Sequence, residues 1–505
     1  MTDLRVGAAG PAGAILRRVL PRSQWAAFVT AWGQHRDLLD NAGSLVMSTG
    51  VASLLGVVYW VFATRLFSQQ AVGYASAAVS AMTLLGTIGM LGLGTLLVGE
   101  LPRRSSRAGL VSAALLTCGL GSLVLGLGFA VVAPRVSDNF ARMIGTPGRG
   151  ALFTAGVAVT AVALVFDQAT IGLMRGGLQM GRNAAFAAAK ILVLPAAAIT
   201  LHDQFGAGII LSWVAGVALS LTLVAIRLRL AGGPVLPRPD WGVLRGLGKS
   251  AMAHNWLNLA MVMPFYLLPV LVTVIVSPTA NAAFYIAVML TTLLFIVPTH
   301  LSTVLFAVVA ADPRVVAKEL RFAMRVSFII GIPGMAALIL GAHLALSLFG
   351  KGYTLATVPM WLVTLGYPAA VPKALYVALC RAADKIPRAA VVLTACSILE
   401  VAAAAVGGVA GGLYGLALAL LVVHYVQALV TAPPVLRAAF GRSGQLAMVT
   451  VKDLLLSPLP PCHSSKPAWT FRRYDVAARY PRLAASVATP LMSKSRTARA
   501  GRSIT

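Results

Sequence analysis

The sequence predicts an all-α polytopic membrane protein of about twelve transmembrane helices in two six-helix lobes, and three observations predict it. Hydrophobic residues make up 58% of the 505 and charged ones 11%, with a mean hydropathy of +0.85, unlike a soluble domain. Apolar stretches of about 20 residues, enough to cross a roughly 30 Å hydrocarbon core as helix, recur without the apolar/polar alternation of an outer-membrane barrel. The two halves of the chain also resemble each other.

Residues 1–42 form a basic N-terminal segment in which Trp25, Phe28, Val29 and Trp32 fall at i, i+3, i+4 and i+7. That spacing gives one apolar helix face, either lying on the inner leaflet or packed on the protein itself. The N-lobe covers 43–228, with spans near 43–66, 72–98, 108–132, 150–173, 183–201 and 206–228. A linker with three prolines and four glycines, 229–247, leads to the C-lobe at 248–432, with spans near 248–274, 281–307, 320–348, 355–379, 389–408 and 411–432. The tail, 433–505, carries twelve Lys and Arg against Asp453 and Asp475 and reads as largely disordered.

Charge placement orients the chain. The net charge is +27, and with the N-terminus inside, the inner segments carry 35 of the 41 Lys and Arg. The outer ones hold only Arg65, Arg135, Arg142, Arg149 and Lys351, and Lys373 lies within a span. The positive-inside rule therefore puts both termini in the cytoplasm of a cell-membrane protein, and the basic excess reads as topology plus attraction to anionic lipid rather than nucleic-acid binding. Four cysteines (Cys118, Cys380, Cys396, Cys462) show no CxxC spacing, so neither a metal nor a disulfide framework is expected.

The stretch "RGGLQMGRNAA" at 175–185 aligns with "RAADKIPRAAV" at 381–391. The offset of 206 superposes Arg175 on Arg381, Arg182 on Arg388 and Asp167 on Lys373. "FSQQAVGYASAAVSAMTLL" at 67 likewise resembles "VSPTANAAFYIAVMLTTLL" at 276. Six helices return a lobe to its starting side, so the repeats are related by a pseudo-two-fold along the membrane normal, with a cleft between the lobes. The glycines of the first stretch fit neither GxGxxG nor a P-loop, and "LGKS" at 247–250 lacks the glycine a P-loop needs upstream, so no nucleotide and no cofactor is expected. The glycines of "LLGTIGMLGLGTLLVG" in span two serve close helix packing or a hinge.

Ionisable groups inside the membrane are costly, about 2.5–3.5 kcal/mol each on insertion scales, and point to function by default. Asp167, Lys190, His254 with Asn255 and Asn258, Lys373, Glu400 and His424 make up the set. Lys190, Lys373, His254, Asn255 and Asn258 are candidates to line a polar cavity and meet an anionic substrate, and Asp167 and Glu400 are candidates to carry a coupling ion. The bland alternatives are structural pairs inside a lobe and snorkelling of Lys190.

The run "FATRLFSQQAVGYASAAVSAMTLL", with Arg65 closing span one and Gly73-Tyr74 opening span two, resembles the signature of polysaccharide-export flippases of the multidrug/oligosaccharidyl-lipid/polysaccharide superfamily. "GLGTLLVGELPRR" is similar to that family's end of span two. The resemblance implies alternating access between two lobes and transfer of a polyprenyl-diphosphate oligosaccharide to the outer leaflet, with basic cavity residues, Arg65 by its motif, meeting diphosphate and sugars. Partners would be the lipid-linked oligosaccharide, anionic lipids and envelope-synthesis proteins. The alternatives are a cation-coupled multidrug-type exporter and a non-transporting scaffold. An envelope glycosyltransferase is disfavoured, because the outer segments offer only Asp138 and Asp203.

Overall fold

The structure is a computed structural model that describes residues 50, 53–103, 107–201, 205–232, 237–383 and 385–441, without the side chains of 103, 245–254, 307, 310 and 311. The N-terminal segment with Trp25 to Trp32, and the tail beyond 441, lie outside the described residues. Among the described residues all regular structure is helical: α1 (Ser53–Leu66), α2 (Gln69–Gly89), α3 (Leu93–Glu100), α4 (Ala108–Val136), α5 (Asp138–Ile144), α6 (Pro147–Gly172) and α7 (Gly176–Thr200). The order continues with α8 (Ala207–Leu230), α9 (Trp241–Ile275), α10 (Pro278–Ala311), α11 (Val316–Ser347), α12 (Thr357–Leu365), α13 (Tyr367–Ala382) and α14 (Ile386–Phe440).

Nine of the described helices are each long and apolar enough to cross a bilayer, and α12 with α13 forms a tenth span bent by 46°. The shorter α1 adds another, and α14 is two helices merged across Gly411 and Gly412, whose backbone leaves the helical region. The total is twelve crossings. Helix α9 starts at Trp241, inside the segment expected to be linker, with Asp240 capping it by accepting the Val243 N–H. At the other end of the chain, α14 continues to Phe440, past the expected start of the tail.

The internal repeat recurs in local structure. Ser68 caps α2 by accepting the Ala71 N–H at 3.2 Å, and Ser277, its counterpart in the alignment of the two halves, caps α10 by accepting from Ala280 at 3.0 Å. Span two is not continuous: Leu91 and Gly92 both take positive φ, 50° and 72°, and separate α2 from α3. Glycine adopts that backbone freely and leucine at a cost, so the glycine-rich span holds a break as well as close packing.

The buried core shows how the lobes meet. One cluster runs through both lobes at the end that the charge pattern assigns to the outside, from Tyr59, Phe67, Tyr74 and Phe153 to Val272, Phe284, Leu346 and Leu416. Toward the basic end it divides. One branch is built on Met90, Leu97, Leu110, Cys118 and Val165 of the N-lobe, with Val243 and Leu244 of α9 packed against it; the other holds Leu257, Leu305, Leu320, Tyr367 and Leu393 of the C-lobe. The core is thus single at one end and divided at the other, where α9 still reaches the N-lobe through the Asn258–Thr95 hydrogen bond.

Polar contacts reinforce the closed end. The Asn281 amide, fully buried, donates to Gly73 O at 2.9 Å and Ser76 Oγ at 3.0 Å, across the lobes. Gln69 donates to Thr279 O and Gly352 O, and Asn139 donates to Thr273 O at 3.0 Å. At Gly73 a Cβ would stand 1.7 Å from Pro278 O, so only glycine lets α2 and α10 cross here. Substituting Gly73→Val must push the lobes apart at this crossing. Hydrogen exchange should then show the amides of 70–80 exchanging about tenfold faster, the factor that about 1.4 kcal/mol of weakened closure gives.

Candidate functional site

Each lobe holds one intramembrane carboxylate from the candidate set, and each is already paired. On α6, Asp167 accepts two hydrogen bonds from Arg182 of α7, Nε to Oδ1 at 2.8 Å and Nη2 to Oδ2 at 2.6 Å. The side chains are 16% and 6% exposed, and Asn183 Oδ1 also meets Arg182 Nη2. This is the fork-to-fork geometry that arginine and carboxylate favour, tying two helices of one lobe.

The C-lobe pair is built differently. Lys373 on α13 donates to Glu400 Oε1 at 2.5 Å and to Gln427 Oε1 at 2.9 Å, both on α14 but on opposite sides of its Gly411–Gly412 kink. Gln427 is held in turn by donating to Cys396 O at 2.9 Å. Thus positions 167 and 373, superposed by the repeat and opposite in charge, find partners at positions that the repeat does not superpose.

Lys190 has neither kind of partner. It sits on α7, buried, with Nζ 4.6 Å from the ring centroids of Tyr59, Phe186 and Trp213. Three helices supply the cage: Phe186 lies one turn back on α7, Tyr59 comes from α1 and Trp213 from α8. Among the described residues no carboxylate pairs with this ammonium. Cation–π contacts are worth about 0.5–2 kcal/mol each, enough to hold a desolvated ammonium but without cancelling its charge. Tyr59 is fixed by a hydroxyl contact to Ser212 at 2.8 Å. Beside it, Trp60 meets Tyr285 of α10 edge-on at 4.9 Å, which carries the aromatic chain into the opposite lobe.

The other candidates are spread out. Arg65 is at the closed end, donating to Leu348 O of the opposite lobe at 2.8 Å. Asn258 bridges α9 to α3 through Thr95 Oγ1 at 2.7 Å. Asn255 is buried with Oδ1 unpaired, and His254 lies in α9, its side chain outside the described residues. His424 contacts Leu420 O through Nδ1 at 2.7 Å.

Sequence reasoning passed over two features. Tyr59 and Trp213 carried no signal for a lysine on another span; only Phe186, four residues before Lys190, was readable. A polar stripe on α10, Thr292, Thr299 and Thr303 at i, i+7 and i+11, is exposed and continues inward from the face of Tyr285. Helix α10 is packed by α2, α9, α11, α12 and α13, and the stripe stays outside those contacts. The spacing was legible as a polar line in an apolar span.

The site therefore combines two neutral braces with one uncompensated cation. Asp167→Asn or Arg182→Gln leaves a buried charge unpaired and should cost about 3–5 kcal/mol, seen as a lowered thermal midpoint in detergent, with the double variant recovering most of it. Lys190→Met removes a charge without an ionic partner and should leave the midpoint within a few degrees of the parent.

No protein-family model matches the chain, and no curated protein matches it. Solved structures do. An inward-facing multidrug resistance MATE family transporter of the MOP superfamily shares 16% identity over 77% of this chain and 95% of its own, with a TM-score of 0.60. An outward-facing MATE family transporter of the same superfamily gives 0.51 at 15% identity, covering 78% and 93%. A MOP superfamily transporter from Pyrococcus furiosus, described by the reverse polarity of its binding pocket, also gives 0.51 at 15% identity over 78% and 93%. The chain has the fold of the MOP superfamily transporters, twelve helices in two lobes.

Proposed function

We propose that the chain is a cell-membrane exporter of an anionic amphiphile, and specifically a flippase for a polyprenyl-diphosphate-linked oligosaccharide. One observation carries the reading: both intramembrane carboxylates of the candidate set are neutralised within their own lobes, while the Lys190 ammonium is met only by aromatic faces. Lys190 thus leaves the membrane interior with one positive charge that no carboxylate cancels, and that charge is complementary to diphosphate. An exporter of cationic drugs needs the reverse, an acidic group left free for its cargo. For the Pyrococcus furiosus transporter of this fold, pocket polarity likewise suggested a different function.

A lipid-linked substrate is also supported by the shape. A cleft between lobes can admit the polar head from the side while the tail stays in lipid, so that phosphates and hydroxyls avoid the cost of unpaired burial in hydrocarbon. The resemblance in the first two spans agrees with this substrate. Both termini would be cytoplasmic, and the basic ends would rest against anionic lipid or envelope-synthesis proteins.

In proteoliposomes the protein should accelerate flipping of a polyprenyl-diphosphate sugar, and Lys190→Met should slow it about 10- to 100-fold, matching the 1.5–3 kcal/mol of a charged hydrogen bond. Unaltered drug accumulation in a strain lacking the protein is the companion result. No acceleration for any polyprenyl-linked sugar, with restored drug efflux instead, would return the reading to a multidrug exporter.

A further inference from the structure

The two braces differ in one respect that the proposed function leaves unused. Arg182 is 6% exposed and clamps Asp167 with two bonds, so it is committed. Lys373 holds Glu400 through one bond and keeps 23% of its side chain exposed, while Glu400 is 7% exposed. At membrane depth an ammonium is not left to lipid, so its exposed part belongs to an aqueous opening. The reachable member of the pair is the cation and the hidden member is the anion.

From this geometry we infer that Lys373, Glu400 and Gln427 form a charge-exchange site, at which an incoming phosphate-class anion takes Lys373 from Glu400 and Glu400 takes up a proton in its place. The inference rests on the reading that the cleft receives an anion. The balance is simple. Before binding, Lys373 ammonium and Glu400 carboxylate cancel. Afterwards the phosphate oxygen accepts the Lys373 N–H, and Glu400, stripped of its ammonium in a buried place, would be an uncompensated charge costing several kcal/mol. One proton drawn from water restores neutrality as the carboxylic acid. When the anion leaves, the proton leaves and Lys373 returns to Glu400, so anion and proton load and unload together.

Flexible, single-point lysine suits such an exchange, whereas a bidentate arginine does not. Gln427 can serve either state, since its Oε1 accepts from Lys373 while its Nε2 is anchored on Cys396 O. Glu400 is faced by Lys373 from α13 and by His424 and Gln427 from the second half of α14, with Cys396 one turn away on its own helix. Packed α9 offers the Ala260 carbonyl to Ser397 at this level, and α11 and α12 present no charged group to Glu400.

The probe is P1,P2-dimethyl diphosphate, a doubly charged diester with no group of its own titrating near neutrality. Calorimetry of the full chain in detergent, in buffers of different ionisation enthalpy, should show about one proton taken up per anion bound and an affinity that weakens about tenfold for each pH unit above neutrality. Glu400→Gln should bind the anion with no proton uptake and no such pH dependence, and Lys373→Met should bind at least about tenfold more weakly. If Glu400→Gln fails to fold, the proton count and pH slope of the parent protein carry the test alone. No binding, binding without proton uptake, or uptake unchanged in Glu400→Gln overturns the inference. Lipid-linked sugar flipping without proton uptake overturns the charge exchange and spares the flippase reading; proton uptake without flipping does the opposite.

Discussion

Everything else in the molecule hangs on the crossing of α2 and α10, where the backbone at Gly73 meets Pro278 with no room for a side chain and a buried Asn281 stitches the two together. That crossing fixes one end of the lobes against each other. The apolar core is continuous there and divides below, and α10 leaves Thr292, Thr299 and Thr303 exposed beyond it. A membrane protein gains little from hydrophobic association between its own helices, since lipid is equally apolar; close backbone approach and a few hydrogen bonds must hold the lobes instead. The glycine at 73 and the amide at 281 are those two devices in one place.

The ion pairs divide the labour further. By neutralising its carboxylate, each lobe becomes a nearly self-sufficient body whose buried charges need nothing from the other lobe. Lobes built this way can move against each other without breaking either of these salt bridges, since each lies within one lobe. Besides the hydrogen bonds at the crossing they share an aromatic contact, Trp60 against Tyr285, which tolerates sliding better than a directed hydrogen bond does.

The architecture was largely legible in the sequence, because twelve apolar runs, the asymmetry of Lys and Arg and the repeat at offset 206 are each consequences of the bilayer acting on one dimension of the chain. The candidate charges were legible for the same reason, since a charge inside an apolar run is conspicuous. Their partners were not. Asp167 and Lys373 attracted notice as counterparts, yet their partners, Arg182 and Glu400, are not counterparts of each other in the repeat. Pairing depends on helix rotation and on which of several neighbours lies within about 3 Å, and no one-dimensional pattern contains that. The break at Leu91–Gly92 was hidden likewise: glycine at 92 permits it, but many glycines in that span do not break.

The lone ammonium at Lys190 has one more consequence. A neutral pair feels no net force from a voltage across the membrane, whereas a single elementary charge that traverses the whole field gains or loses about 2.3 kcal/mol per 100 mV. Any rocking that shifts α7 relative to the field therefore carries electrical work, through a residue whose three aromatic neighbours hold it without cancelling its charge. Under the proposed exchange, a doubly charged diphosphate that loads together with one proton would cancel that charge. The resting potential would then push the empty carrier and leave the loaded one unforced.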